Sequence, residues 1–323
     1  VASQLPLTMD GSGQFTEVFY KNLLNGEDVR LSIHRGRKSL FDSRTDHHDF
    51  VSLVGYVQLP ENYGDFLYHL KLKNQFAQVN VLKKWVDHVI RKSGFNEQTI
   101  SIAREQFDRH VGMVEEYYHA MTKSGSYART LMEEMTGLLA SACKTRAELE
   151  FHYAKESGKD EDDLSLKYLE KAREYYKEGF RHNYSAHWNG MQFISLNIVT
   201  QGEPEKPVYW DIIELVASEA AEDPDDYWAL GTLAELYLLA PIAKGKEMTD
   251  KAKNAIQQFL SRLEKHQGKE FAKSSLLRQL RKYEEWWTQE NGYFPGCSQD
   301  LSAAAKDLIQ FITKKDDVKS IVK

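Results

Sequence analysis

The sequence predicts a mainly α chain, an α-solenoid of paired helices preceded by a short α/β unit. Three observations carry this. From about residue 65 apolar residues recur at helical spacing almost to the end. Gly and Pro punctuate the junctions, as at Gly94, Gly125, Asp223-Pro224, Gly245 and Pro295-Gly296, the pattern of antiparallel helices with short connections. Only residues 1–60 depart from it, reading strand–helix–helix–strand. The sequence therefore divides into 1–64 and 65–323.

Residues 1–7 read as a buried strand, and Thr8–Gly13, with Asp10 and two glycines, as a turn. A helix over 14–25 follows, because Phe15, Val18, Phe19, Leu23 and Leu24 recur at helical spacing and Asn25-Gly26 is a stop signal. A second helix spans about 28–41, and residues 49–58 read as a strand closed by Pro60. Beyond the boundary, amphipathic helices are expected at about 65–92, 97–121, 127–155, 163–180, 184–199, 208–221, 225–240, 249–265, 270–288 and 300–313. The charged end, Lys314–Lys323, reads as frayed.

Composition narrows the function classes. With 323 residues, 41% hydrophobic and 28% charged, the chain is of ordinary globular composition. A net charge of −6 without a strongly basic region argues against nucleic acid as a main partner. The apolar runs are too short for a membrane span, and no basic-then-apolar leader opens the chain. Only Cys143 and Cys297 occur, so no disulfide framework exists and a reducing cytoplasm is the expected compartment. No metal or cofactor motif is visible. The missing initial Met leaves open a processed chain or a piece of a longer one.

The head of the chain carries a resemblance. "VASQLPLTMDGSGQFTEVFYKNLLNGEDVRLSIHRGRKSLF", followed by "DFVSLVGYVQLP", resembles the carboxyl-side part of the CHAT peptidases, caspase-like cysteine peptidases related to separase. Leu5, Pro6, Leu7 and Asp10 stand roughly at the family's strand-end motif; Phe15, Phe19, Tyr20, Leu23, Leu24 and Gly26 match its first helix; Ile33, Arg37 and Leu40 match its second, with Gly36 for the usual Ala. The resemblance implies a caspase-like α/β fold, a place for Gln4 and Asp10 at a substrate pocket, and a catalytic His/Cys dyad on a preceding segment. Cys143 sits in a helical run, Cys297 in a Pro-Gly-Cys loop, and His47-His48 in a polar turn, so no dyad is expected within these residues. Whether the chain is an enzyme is therefore open: it is either a share of a cysteine peptidase or a non-cleaving relative.

The helical part resembles a tetratricopeptide-like sensor family, TPR-S, found beside caspase-like or TIR effectors in bacterial conflict systems. Five blocks carry this in order: Leu138–Arg146 with Lys144, Ala172–Gly179, Trp188–Leu196 with Asn189 and Gln192, Trp228–Leu236, and Ser275–Leu280 with Arg278 and Gln279. The Trp228 block is one residue short of the tetratricopeptide Trp-to-Gly spacing. The resemblance implies a domain that senses a nucleotide-derived ligand or a protein partner and regulates proteolysis in anti-phage defence.

The residues admit their own reading. Trp228, Thr232 and Glu235 share a helix face, with Tyr227 and Gly231 on the neighbouring stripe. A polar stripe of Lys144, Arg146, Arg278, Gln279, Asn189 and Gln192 beside Trp188 and Trp228 can stack a base and hold phosphates. Packing is the competing role for the tryptophans and solvation for the cations. Glu235 resists dismissal, because a carboxylate in "LAELYLLAP" must be paired, with Arg278 or a ligand as candidates. The other readings are a non-catalytic scaffold that holds a protein partner and a stand-alone nucleotide sensor.

Overall fold

A computed structural model of the chain describes residues 2–3, 7–43, 49–56, 58–59, 61, 63–91, 96–124, 129–158, 162–264, 269–292 and 299–321. Thirteen α-helices make up nearly all of them. The chain divides into two compact units, Val1–Val81 and Leu82–Lys323.

The first unit holds β1 (Ala2–Ser3), α1 (Met9–Leu24), α2 (Val29–Asp42), α3 (Asp49–Ser52), β2 (Leu53–Val54) and the start of α4 (Tyr63–Arg91). The strands expected at 1–7 and 49–58 are reduced to β1 and β2, which pair antiparallel with Ala2 opposite Val54. The turn expected at 8–13 is helix. Thr8 caps α1, its hydroxyl accepting from the Gly11 backbone N–H at 3.0 Å. Asp49 explains both departures. Its buried carboxylate accepts from the Thr8 hydroxyl at 2.5 Å and the Thr8 N–H at 3.3 Å, which ties the helical turn at 49 to the cap of α1. Gly11 is needed there, since a Cβ would lie 2.0 Å from Asp49 Oδ2.

Phe15, Phe19, Ile33, Leu40 and Leu53 form the core of this unit. Gly36, the departure from the peptidase pattern, faces Phe15, where a Cβ would sit 2.6 Å from the ring. Asp10 is exposed on the first turn of α1. Gln4, His47 and His48 lie outside the described residues, as does Cys297.

The second unit is helical throughout its described residues: the rest of α4, then α5 (Glu97–Ser124), α6 (Arg129–Ser157), α7 (Asp162–His182), α8 (His187–Gln201), α9 (Pro207–Ala220), α10 (Tyr227–Lys244), α11 (Thr249–Leu263), α12 (Lys269–Arg281) and α13 (Gln299–Ile321). Sequential helices pack as neighbours, α5 on α6, α6 on α7, α7 on α8, α8 on α9 and α10 on α11. The solenoid-like succession expected from the periodicity is thus observed. Caps set several ends. Pro207 opens α9, Asp226 accepts from the Ala229 N–H at the head of α10, and Gly202 (φ 87°) closes α8 in the left-handed conformation.

Two helices run through the centre. From Ala229 to Ala240 every residue of α10 but Gly231 and Tyr237 is buried, because α8, α9, α11, α12 and α13 all pack against it. α8 is buried from Asn189 to Thr200. The helix expected at 270–288 is instead α12 followed by a π turn, Lys282–Trp286. The wider turn brings Tyr283, Trp286 and Trp287 into the core together.

Candidate functional site

Glu235 is the one charged residue in the buried stretch of α10, and its environment organises the site. Its Oε2 accepts from Gln192 Nε2 on α8 at 3.0 Å; its Oε1 accepts from Gln279 Nε2 on α12 and from the Tyr283 hydroxyl, both at 2.7 Å. The carbonyl oxygens of the same two glutamines accept from Lys144 Nζ on α6, the Gln279 bond measuring 2.9 Å. Lys144, Gln192, Glu235 and Gln279 therefore form a closed ring drawn from four helices, each residue at most 8% exposed. Tyr283 is held in turn by the Ser195 hydroxyl.

Burial governs the protonation of this ring. It pushes the Lys144 ammonium well below its ordinary range, with Lys282 adding repulsion and Glu235 opposing it. It pushes the Glu235 carboxyl up, against the pull of Lys144. The Tyr283 hydroxyl is raised well above its usual value by burial and by Glu235, so it stays a donor. The aromatic walls assist the cation: Lys144 Nζ lies 5.9 Å from the Tyr176 ring centroid and 5.7 Å from that of Trp287.

The ring floors a cavity of about 410 Å³. Its mouth is aromatic. Trp188 is 41% exposed and meets Tyr176 edge-on at 5.4 Å; Trp228 meets Phe271, itself 63% exposed, at 6.1 Å. Charged groups line the remainder. Arg278 is paired with Asp87 on α4, Lys282 with Glu148 on α6, and Lys83 Nζ donates to Ser141 Oγ at 2.7 Å. Thr232 lines the wall, and His187 Nδ1 lies 3.0 Å from its hydroxyl, with Asp226 3.5 Å from the other ring nitrogen.

Residues 70–197 match the Tetratricopeptide Repeats-Sensor family. The TPR-S match runs from within α4 to within α8 and takes in Lys144 and Gln192; Glu235 and Gln279 lie beyond it. It begins after the strand–helix head, so the peptidase resemblance of residues 1–60 stands on its sequence motifs alone. No curated protein and no solved structure gives a significant match.

The structure gathers most of the residues singled out in the sequence. Lys144, Trp188, Gln192, Trp228, Thr232 and Glu235 line the one cavity, with Arg278 and Gln279 beside them. Three lie elsewhere. Arg146 is two residues from Lys144, about 200° round the helix, and faces a smaller cavity of about 260 Å³ with Tyr168 and Lys171. There its Nε donates to Glu150 Oε1 at 2.5 Å. Asn189 is buried in the seam with α6 and α7, against Gly137 and Gly179. Tyr227 packs edge-on against Phe259. Arg278 is also not the partner of Glu235, because Asp87 engages it and the two glutamines and Tyr283 satisfy the carboxylate.

Lys83, Asp87, Glu148 and Lys282 belong to the cavity and escaped the sequence reading. Each reads as an ordinary solvated charge on an amphipathic helix. Among the described residues no group of three metal-ligating side chains converges, and no helix is long and apolar enough to cross a membrane.

Proposed function

We propose that the helical unit is a sensor domain whose cavity binds a nucleotide-derived ligand. The observation that carries this reading is one open-mouthed cavity with a buried, amide-clamped lysine at its floor and three partly exposed aromatic rings at its mouth. Lys144 uses two of its three donors on the glutamines, and each glutamine amide retains a second N–H. The floor thus offers donors to an anionic or carbonyl group, while Trp188, Trp228 and Phe271 offer faces on which a base stacks. The TPR-S match supports the sensor class.

The ring also supplies a way to report binding. α6, α8, α10 and α12 each contribute one member, so a ligand that draws Lys144 or the amides toward itself changes how four helices are tied together. In the fuller reading, that change regulates a caspase-like cysteine peptidase in anti-phage defence. The dyad of that peptidase lies on a preceding segment, and residues 1–64 are the carboxyl-side share of its fold. That part rests on the sequence resemblance.

The test is calorimetry of the purified chain with cyclic and ADP-ribose-type nucleotides. Saturable binding that Trp228→Ala and Lys144→Met each weaken about tenfold or more supports the reading. Binding that neither variant changes removes the cavity as the site.

A further inference from the structure

We propose that the cavity selects a ligand bearing a single negative charge, and that Lys83 on α4 is the residue that reads it. The proposal rests on the reading of the cavity as a nucleotide site and adds the charge class of the ligand.

Charges around the cavity do not balance. Four cations line the cavity, Lys83, Lys144, Arg278 and Lys282, against three carboxylates, Asp87, Glu148 and Glu235. One positive charge is left over. Arg278 is matched by Asp87 and Lys282 by Glu148. Lys144 is matched by Glu235 through the two glutamines, and the pair adds no net charge whether both groups are ionised or both neutral. Lys83 has a neutral partner, the Ser141 hydroxyl at 2.7 Å, and makes no ion pair among the described residues. Arg278 and Lys282 act on it repulsively, with Asp87 partly offsetting them. An anionic group placed at Lys83 completes the balance and relieves that repulsion.

A second negative charge on the ligand has no such partner. It must either remain without a cation at the floor or compete with Asp87 and Glu148 for cations they already hold, and both are less favourable than the single match at Lys83. The volume agrees with this limit. About 410 Å³ lies near the lower end of the range of small-molecule sites. The cavity accommodates one ring system and one anionic group, a phosphodiester or its equivalent, and disfavours a polyphosphate.

The experiment is a charge series on the whole chain. For each of the four common bases, the nucleoside, cyclic monophosphate, monophosphate and triphosphate are titrated at constant ionic strength. The expected result is tightest binding of a cyclic monophosphate, about tenfold tighter than its nucleoside and than its triphosphate. Lys83→Met should remove the preference over the nucleoside, and Lys83→Arg should keep it. Affinity that rises steadily to the triphosphate, or a preference that survives Lys83→Met, overturns the proposal and leaves the nucleotide reading intact. No binding by any member overturns the charge proposal, and no binding by ADP-ribose-type nucleotides as well overturns the nucleotide reading.

Discussion

Lys144 and Glu235 are joined through Gln192 and Gln279 rather than by direct contact, each glutamine accepting from the lysine with its carbonyl and donating to the carboxylate with its amide. The arrangement spreads two buried charges over a ring of hydrogen bonds. It also makes the charges mutually dependent, because removing either leaves polar groups without partners inside the core.

That dependence is measurable as a double-mutant cycle. Glu235→Ala strips the acceptor from both amides and from Tyr283 and leaves Lys144 uncompensated; we expect a loss of about 3–5 kcal/mol. Lys144→Met should cost a comparable amount. The double variant should be less damaged than the sum of the two by at least about 1 kcal/mol. Urea denaturation with an unchanged m value is the measurement, and strict additivity would contradict the ring.

Gly231 offers a clean way to close the cavity. It lines the wall in the middle of α10, and a Cβ there would meet only Phe259, at 3.9 Å. Gly231→Ala should therefore stabilise the helix by about 1 kcal/mol. Gly231→Leu should fold normally yet bind ligand at least about tenfold more weakly. Thermal melts and calorimetry on the two variants separate occlusion from unfolding, and undiminished binding by Gly231→Leu would place the ligand elsewhere.

Lys83 predicts a pH dependence with opposite signs for stability and binding. Burial, then Arg278 on α12, lowers its pKa to about 8 from the usual 10.5, with Asp87 opposing and Lys282 adding to the shift; Ser141 of α6 is its hydrogen-bond partner. The unfolded chain holds this proton more tightly than the folded one. The charged lysine thus penalises folding fully below pH 8, and the penalty is relieved as pH rises from about 8 toward 10.5. An anionic ligand needs the charged form, so its affinity should be full below about pH 8 and decline above it. Lys83→Arg, which keeps its charge, should abolish the decline. Calorimetry at about pH 7 and about pH 9.5 shows it.

Cys143 should be inert. It is 2% exposed on α6, and burial pushes its thiol up to about 12. Alkylation at neutral pH followed by peptide mapping should leave Cys143 unmodified in the native protein and label it in denaturant. Rapid native labelling would reopen it as a nucleophile.

Much of the architecture was legible because helices announce themselves locally. The apolar spacing of α7 and α11, the stop at Gly202 and the cap before α10 all act within a few residues. The failures were also physical. Two glycines and Asp10 look like a turn until Asp49, 41 residues from Thr8, holds that residue as the cap of the helix that takes in 9–13. The π turn at 282 is set by what three aromatic rings must reach, not by its own propensity.

The site divides the same way. Glu235 could be singled out from sequence because a carboxylate amid apolar neighbours demands a partner wherever it lies. Which partner is a question of packing: Gln192 is 43 residues away, Gln279 44, and the Arg278–Asp87 pair spans 191. Lys83 and Lys282 show the converse, since a lysine on an amphipathic helix looks solvated until neighbouring helices enclose it. Sequence periodicity determined that this is a helical protein with an anomalous charge in its central helix. Tertiary packing alone decided that four helices converge on that charge, because burial and pairing depend on neighbours that no local pattern specifies.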